Sequence, residues 1–224
     1  MKAIIFDSST LISFAMNGMW EELKKLKSIF KGKFIITKEV KHEIIDKPLT
    51  IKRFEFEALK IQKLLDKKIL EMPQSINISE KQITKKTDSL IKIANETFYT
   101  SERSIHLIDS GETSCIALGK ILDDKKIENV LAVDERTTRL LSEKPENLRK
   151  IFEKKLHTKI KIKKDNLKHF ENLKFIRSSE LVYVLYKKNL AEIKNKHILD
   201  AMLYAVKFKG CSISRDEIRE IKKF

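Results

Sequence analysis

Four acidic residues lie where the sequence predicts strand ends or helix starts, and such acids can share chemistry. Asp7 ends the apolar run AIIFD, and Asp134 ends a second run, VLAVD. Glu43 lies on the helix predicted after the strand FIIT, and Glu112 lies in the first turn of another predicted helix. Clustered carboxylates repel one another unless a cation neutralises them. Mg²⁺ or Mn²⁺, which prefer oxygen ligands, would both neutralise the acids and activate a water against a phosphodiester.

The elements that must position these acids alternate between short apolar strands and helices. Residues 3–7, 34–37 and 130–133 are apolar and rich in β-branched side chains, as in strands buried on both faces. The pattern predicts an α/β fold, a three-layer α/β/α sandwich around a parallel sheet of about four or five strands. Because right-handed crossovers put the carboxyl ends of parallel strands at one edge, we expect Asp7 and Asp134 to approach each other.

Helical periodicity and capping residues predict the helices. A helix over residues 8–18 should close at a glycine, and one over 38–45 should stop before Pro48. Residues 79–98 carry an apolar stripe at helical spacing, which we interpret as core packing. A turn at Ser110 and Gly111 should precede the helix that begins at Glu112.

Composition points to an anionic partner. The 224 residues carry a formal net charge of +15, and nucleic acid is the commonest partner of so basic a chain. A lysine-rich composition without such a partner is the alternative. Two cysteines exclude a disulfide framework, and no stretch is long and uncharged enough for a membrane segment or signal peptide. These features predict a cytoplasmic protein with no membrane partner.

Several motifs in order resemble those of PIN-domain proteins. They are IIFDSSTLISFA, VKHEI, DSGETSCIALG and VDERTTRLL, followed by SSELVYVLYKKNLAEI and KGCSISRDEIREI. The last two are similar to the tail of a mainly prokaryotic PIN branch with Gly-Glu and Asp-Glu motifs. The resemblance covers roughly residues 1–48, 105–142 and 174–222, and PIN proteins are Mg²⁺- or Mn²⁺-dependent nucleases on a parallel α/β/α sandwich.

The resemblance implies a role for each matched residue. It makes the protein a ribonuclease whose catalytic metal ligands are Asp7, Glu43, Glu112 and Asp134. Ser8 and Ser9 match hydroxyl positions that support a ligand or water. Arg139 matches a basic residue that can hold phosphate, and we expect Arg136 and Arg139 to bind nucleic acid. Asp109 we interpret as a supporting residue that caps the helix of Glu112. The relatives also leave open a homodimer and an antitoxin protein as partner.

The chain departs from the family pattern at several places. Thr138 stands where that branch often has Gly, and Ser142 where it often has Ala. Residues 51–104 and 142–173 resemble insertions into a single domain spanning 1–224. Residues 142–170 hold ten Lys or Arg against four acids. Either this is a solvated face, or it tracks RNA phosphates through Lys154, Lys155, Lys159, Lys161, Lys163 and Lys164.

Three alternatives remain beside the nuclease hypothesis. Residues 199–216 also resemble the third and fourth acid motifs of PIN toxin nucleases, which would replace Glu112 and Asp134 by Asp200 and Asp216. A phosphatase with a nucleophilic Asp7 would need a second acid where Ser9 stands. The third alternative is a PIN-like nucleic-acid-binding protein with little or no catalysis.

Overall fold

A four-stranded parallel sheet forms the centre of the molecule in the computed structural model, which describes residues 1–223. The strands of the described chain are β1 (Lys2–Phe6), β2 (Lys33–Ile35), β3 (Phe98–Tyr99), β4 (Glu128–Ala132), β5 (Lys161–Ile162) and β6 (Phe175–Ile176). The central sheet has the order β2-β1-β4-β6, and β3 and β5 form a separate antiparallel pair. Ala3 to Phe6 of β1 are all buried, as expected of a central parallel strand.

Helices connect the strands and cover the sheet. The α-helices are α1 (Ser8–Met16), α2 (Trp20–Ile29), α3 (Lys38–Lys41), α4 (Lys47–Leu49), α5 (Lys52–Asp66), α6 (Glu80–Asn95), α7 (Ser110–Asp124), α8 (Arg136–Glu143), α9 (Pro145–Leu156), α10 (Lys164–Leu167), α11 (Ser178–Lys187), α12 (Ile198–Phe208) and α13 (Arg215–Ile221). A π-helical turn, His42–Asp46, joins α3 to α4, and a 3₁₀ turn, Pro73–Ile76, precedes α6.

The layers confirm the predicted α/β class. Helix α7 packs against β1 and β4 and carries α6 on its outer side, whereas α11 packs against α1 and α12. The buried aromatic rings of Phe6 and Phe34 meet across β1 and β2 with their centroids 5.0 Å apart. Within residues 1–223, no helix combines the length and apolar composition needed to cross a membrane.

The helix that carries Glu43 runs further than the sequence predicts. The prediction that it stops before Pro48 is wrong, because the backbone widens into the π-helical turn and then continues as α4. The N–H of Lys47 donates to the carbonyl of His42, five residues earlier. Pro48 lies in the first turn of α4 and has no N–H to donate to the preceding turn, and the helix ends soon after it, at Leu49.

Two other predicted boundaries move. Helix α6 ends at Asn95, so Phe98 of the predicted stripe lies in β3 and not on the helix. The Thr97 hydroxyl donates to the carbonyl of Ile93 at 2.7 Å and closes the helix end. Helix α7 begins at Ser110 and not at Glu112, because Asp109 is already its N-cap residue.

The two segments interpreted as insertions pack against each other. Strand β3 belongs to the first and β5 to the second, and Phe98 pairs with Ile162 between them. The N–H of Lys163 donates to the carbonyl of Thr97 at 2.8 Å. The rings of Phe98 and Phe152 lie 6.0 Å apart. The lysine-rich stretch is therefore anchored to the body of the protein through its apolar residues.

Candidate functional site

The carboxyl ends of the two central strands bring Asp7 and Asp134 to one edge of the sheet. Strands β1 and β4 pair in parallel with Phe6 opposite Ala132. The N–H of Asp7 donates to the carbonyl of Ala132 at 3.0 Å, so the pairing continues one residue beyond β1. Both acids are buried, with 1% and 0% of their surface exposed. Charged groups this deep need hydrogen bonds or a cation to offset lost hydration.

Ser9 links the two acids. Asp7 is the N-cap of α1, and its Oδ2 accepts from the N–H of Ser9 at 3.0 Å and from the Ser9 hydroxyl at 2.5 Å. The same hydroxyl oxygen accepts from the N–H of Asp134 at 3.1 Å. Ser8 donates to the other oxygen of Asp7 at 3.5 Å. Asp7 thus caps a helix and faces the shared edge as well. Burial raises its pKa, against these hydrogen bonds, and the charge of Asp134 adds a smaller increase.

Both oxygens of the Asp134 carboxylate accept hydrogen bonds from other residues. Its Oδ2 accepts from the Ser13 hydroxyl at 2.7 Å, and its Oδ1 accepts from the N–H of Ser178 at 2.7 Å. Ser13 lies on α1 and Ser178 opens α11, so Asp134 joins two helices that are distant in sequence. Sequence reasoning missed both partners. Ser13 lies four residues after Ser9, on the same helical face, and this spacing was the available signal.

Glu43 reaches the edge from the π-helical turn and packs against the start of α7. A Cβ added at Gly111 would lie 2.5 Å from Glu43 Oε1, so only glycine leaves room for this carboxylate. Burial raises the pKa of Glu43, a hydrogen bond with Ser8 lowers it, and the charges of Asp7 and Asp109 raise it further. The sequence identified Gly111 only as a turn residue. In the structure, the absence of a Cβ at Gly111 lets the Glu43 carboxylate come close to the backbone of α7.

Glu112 lies in the first turn of α7, where its Oε2 accepts from the N–H of Asp109 at 3.2 Å. Burial raises its pKa from 4.5 to about 7, and the charges of Asp7 and Glu43 add to this rise. The Asp109 side chain points outward instead, and its Oδ1 lies 2.8 Å from Nε2 of His106. Asp109 occupies the N-cap position that the sequence predicted, and its backbone N–H is the group that Glu112 bonds.

Asp7, Glu43 and Glu112 share one electrostatic environment. The charge of Asp7 adds to the burial that raises the pKa of both glutamates, and burial raises the pKa of the Cys115 thiol, with smaller increases from all three acids. Carboxylate oxygens are the donors that Mg²⁺ and Mn²⁺ prefer, so the donor chemistry fits such a cation. The present geometry of these side chains does not fit a cation. Among residues 1–223, no group of three or more His, Cys, Asp or Glu side chains stands close enough to hold a metal.

The alternative acids lie in surface ion pairs. Asp200 pairs with Lys222 at 2.5 Å, and Asp216 pairs with Arg219 at 3.0 Å. Residues 211–214 form no strand before Asp216. Neither acid shares the buried environment of Asp7.

The predicted nucleic-acid-binding residues fall into two regions. Arg136 and Arg139 lie on α8, directly after Asp134, and Arg139 Nη2 donates to the carbonyl of Ser212 at 3.3 Å. The lysines of the second region are all exposed, on or near α9, β5 and α10: Lys154, Lys155, Lys159, Lys161, Lys163 and Lys164. Of these, Lys163 pairs with Glu96 at 3.3 Å.

Comparison with known proteins leaves the family unassigned. No family model, no curated protein and no solved structure matches the chain.

Proposed function

We propose that this protein is a metal-dependent endoribonuclease that hydrolyses RNA phosphodiester bonds at the acidic edge of the sheet. One observation carries the proposal. Asp7 is buried and Glu43 and Glu112 are partly buried, and besides burial the charge of Asp7 raises the pKa of both glutamates. Such mutual repulsion is costly unless a cation joins the group, and perturbed carboxylates gathered at a sheet edge are typical of functional sites.

The chain's own residues would divide the work. Asp7, Glu43 and Glu112 would hold the cation, which requires the two glutamates to turn towards Asp7. Asp134 acts as a positioning residue, because its hydrogen bonds to Ser13 and Ser178 fix the edge of the sheet. A bound Mg²⁺ or Mn²⁺ stabilises charge on the phosphate and makes a water more acidic. Hydrolysis would consume one water and break one P–O ester bond, giving a phosphomonoester and an alcohol.

The net charge of +15 supports RNA as the substrate. A basic surface attracts the polyanion, and a cation lets an acidic site approach phosphate oxygens. Without the cation, the carboxylates would repel the RNA phosphates.

The test is cleavage of labelled single-stranded RNA with Mn²⁺, with EDTA as control. Asp7→Asn keeps the shape of the side chain and removes its charge, so it should abolish Mn²⁺-dependent cleavage while the protein stays folded. Asp216→Asn is the matched control, because Asp216 is an exposed acid in a surface ion pair. Cleavage that survives in purified Asp7→Asn protein, or that persists in EDTA, would overturn the assignment.

A specific observation favours a second function, RNA binding without cleavage. Among residues 1–223, no three of the acids that the family resemblance makes ligands stand close enough to hold a metal. Under this alternative, Mn²⁺ gives neither cleavage nor a rise in Tm, whereas RNA still binds. Calorimetric titration with Mn²⁺ alone separates the two functions, since only the nuclease requires metal binding that Asp7→Asn removes.

A further inference from the structure

A basic cavity lies beside Arg136 and Ser212, near the backbone of Asp134. It has a volume of about 620 Å³ and lies between α8, α12 and the start of α13. Its wall, Cys211 to Ser214, is fastened to the acidic edge, because the N–H of Ser212 donates to the carbonyl of Asp134 at 3.3 Å. The volume falls within the range of about 300–1,000 Å³ that is usual for small-ligand sites.

Positive charge dominates the lining of this cavity. Two carboxylates, Glu143 and Glu217, face five cationic side chains: Arg136, Arg139, Lys144, Arg177 and Lys207. The cavity therefore favours an anion over a neutral or cationic ligand.

Not all of these cations are engaged by the protein. Arg177 is held by Glu180 and Glu217, and the Lys207 ammonium donates to the carbonyl of Ile213. By contrast, the side chain of Arg136 has no hydrogen bond or ion pair within residues 1–223. Arg139 uses one nitrogen on Ser212, while its buried Nε has no partner in the described chain. Two guanidinium groups one helical turn apart are thus available, and guanidinium is suited to phosphate oxygens.

An exposed aromatic ring completes the cavity. Phe208 ends α12, lines the cavity and leaves 74% of its surface exposed. Its ring lies 6.0 Å from that of Tyr204, one turn earlier on the same helix. A single exposed phenylalanine is ordinary on a protein surface. Together with the guanidinium groups of Arg136 and Arg139, it forms the combination by which proteins bind single-stranded nucleic acid. In that combination a base stacks on a ring and cations hold the backbone.

We propose that this cavity binds one nucleotide of a single-stranded RNA, with its phosphate on Arg136 and Arg139 and its base stacked on Phe208. The proposal rests on RNA as the substrate of the acidic edge and adds where the strand is held. Base faces are free only in single strands, so the cavity selects unpaired RNA over duplex. Because the wall of the cavity is bonded to Asp134, a nucleotide held here places the neighbouring part of the strand towards the edge.

The decisive measurement is RNA binding in EDTA, where metal-dependent cleavage is off. Phe208→Ala should weaken the binding of a short single-stranded RNA about tenfold, since stacking on one ring contributes about that factor. A fluorescent purine analogue in the RNA should be quenched on binding to the natural protein and remain bright with the variant. Phe56→Ala is the matched control. Phe56 is 68% exposed and lies 4.2 Å from the Lys60 ammonium, but it belongs to α5, which does not line the cavity.

The phosphate contact has its own readout. Arg136→Gln should flatten the slope of log affinity against log salt by about 0.7, the contribution of one phosphate contact on a single strand. The proposed nucleotide site is wrong if Phe208→Ala and Phe56→Ala bind RNA with equal affinity. It is also wrong if the purine analogue is not quenched on binding to the natural protein. Selective capture of double-stranded RNA overturns it too. A failure of the proposed nuclease function gives a different result. In that case Mn²⁺-dependent cleavage is absent, whereas Phe208→Ala still weakens RNA binding.

Discussion

Replacing Glu112 with Gln should stabilise the metal-free protein at neutral and alkaline pH and leave its stability unchanged in acid. The substitution removes the charge and keeps the side-chain oxygen that accepts from the N–H of Asp109. Helix α7 therefore retains its first-turn hydrogen bond. What changes is the repulsion from Asp7 and Glu43 and the cost of burying an ionised carboxylate.

The magnitude follows from the pKa of Glu112, which burial and the two neighbouring charges raise from 4.5 to about 7. Between these two pH values the folded protein keeps a proton that the unfolded chain has released, so stability falls as pH rises. The penalty is absent below the unfolded pKa and complete above the folded pKa. It amounts to about 3 kcal/mol of unfolding free energy, which for a chain of this length is about 6 °C in Tm.

The assay is thermal unfolding in EDTA from about pH 5 to about pH 8, the window in which Glu112 changes charge. The Tm of Glu112→Gln minus that of the natural protein should grow across this window. Glu217→Gln is a control of opposite sign. Hydrogen bonds from Ser214 and Arg177 outweigh burial and lower the pKa of Glu217 to about 2, so Glu217 is charged throughout the window. Glu217→Gln should therefore be less stable than the natural protein, by an amount that does not change with pH across the window. A constant Tm difference for Glu112→Gln would refute the reasoning. Mn²⁺ should raise the Tm of the natural protein more than that of Glu112→Gln.

Three further predictions concern other parts of the site. Gly111→Ala should displace the Glu43 carboxylate and weaken Mn²⁺ binding in calorimetric titration with little loss of Tm, since a flexible side-chain end must move; Gly119→Ala, whose Cβ would meet Leu131 Cδ2 at 3.2 Å, should leave Mn²⁺ binding unchanged. Asp134→Ala should cost at least about 1–3 kcal/mol in denaturant unfolding, because the buried Ser13 hydroxyl and Ser178 N–H both lose their acceptor, and a cost near zero would contradict the positioning role. If the lysine-rich segment tracks phosphates, changing its six exposed lysines to Gln should weaken RNA binding and reduce the salt slope by about 0.7 per lost contact; an unchanged slope would leave the segment as ordinary surface. The six are Lys154, Lys155, Lys159, Lys161, Lys163 and Lys164.

Local sequence patterns determined the elements of the fold. The apolar runs before Asp7 and Asp134 predict central strands, and β1 and β4 confirm them as parallel neighbours. Capping residues predict helix starts at residues 8, 38 and 79 that agree with the structure within one residue, because these signals act within one helical turn. The main error concerns the helix predicted to end before Pro48. There the backbone changes from α-helical to π-helical hydrogen bonds, and the spacing of apolar residues does not reveal such a change.

The approach of Asp7 and Asp134 at one edge also followed from the sequence, through the chirality of parallel crossovers. What only the tertiary structure decided is how each carboxylate is used. Asp134 is bonded to Ser13, 121 residues away, and Glu43 packs against Gly111 on a different helix. Burial of this kind depends on which surfaces meet after folding, and it is burial that raises the pKa of Glu112. The cavity of Arg136 and Phe208 has the same origin, since its walls come from segments that only the folded chain brings together.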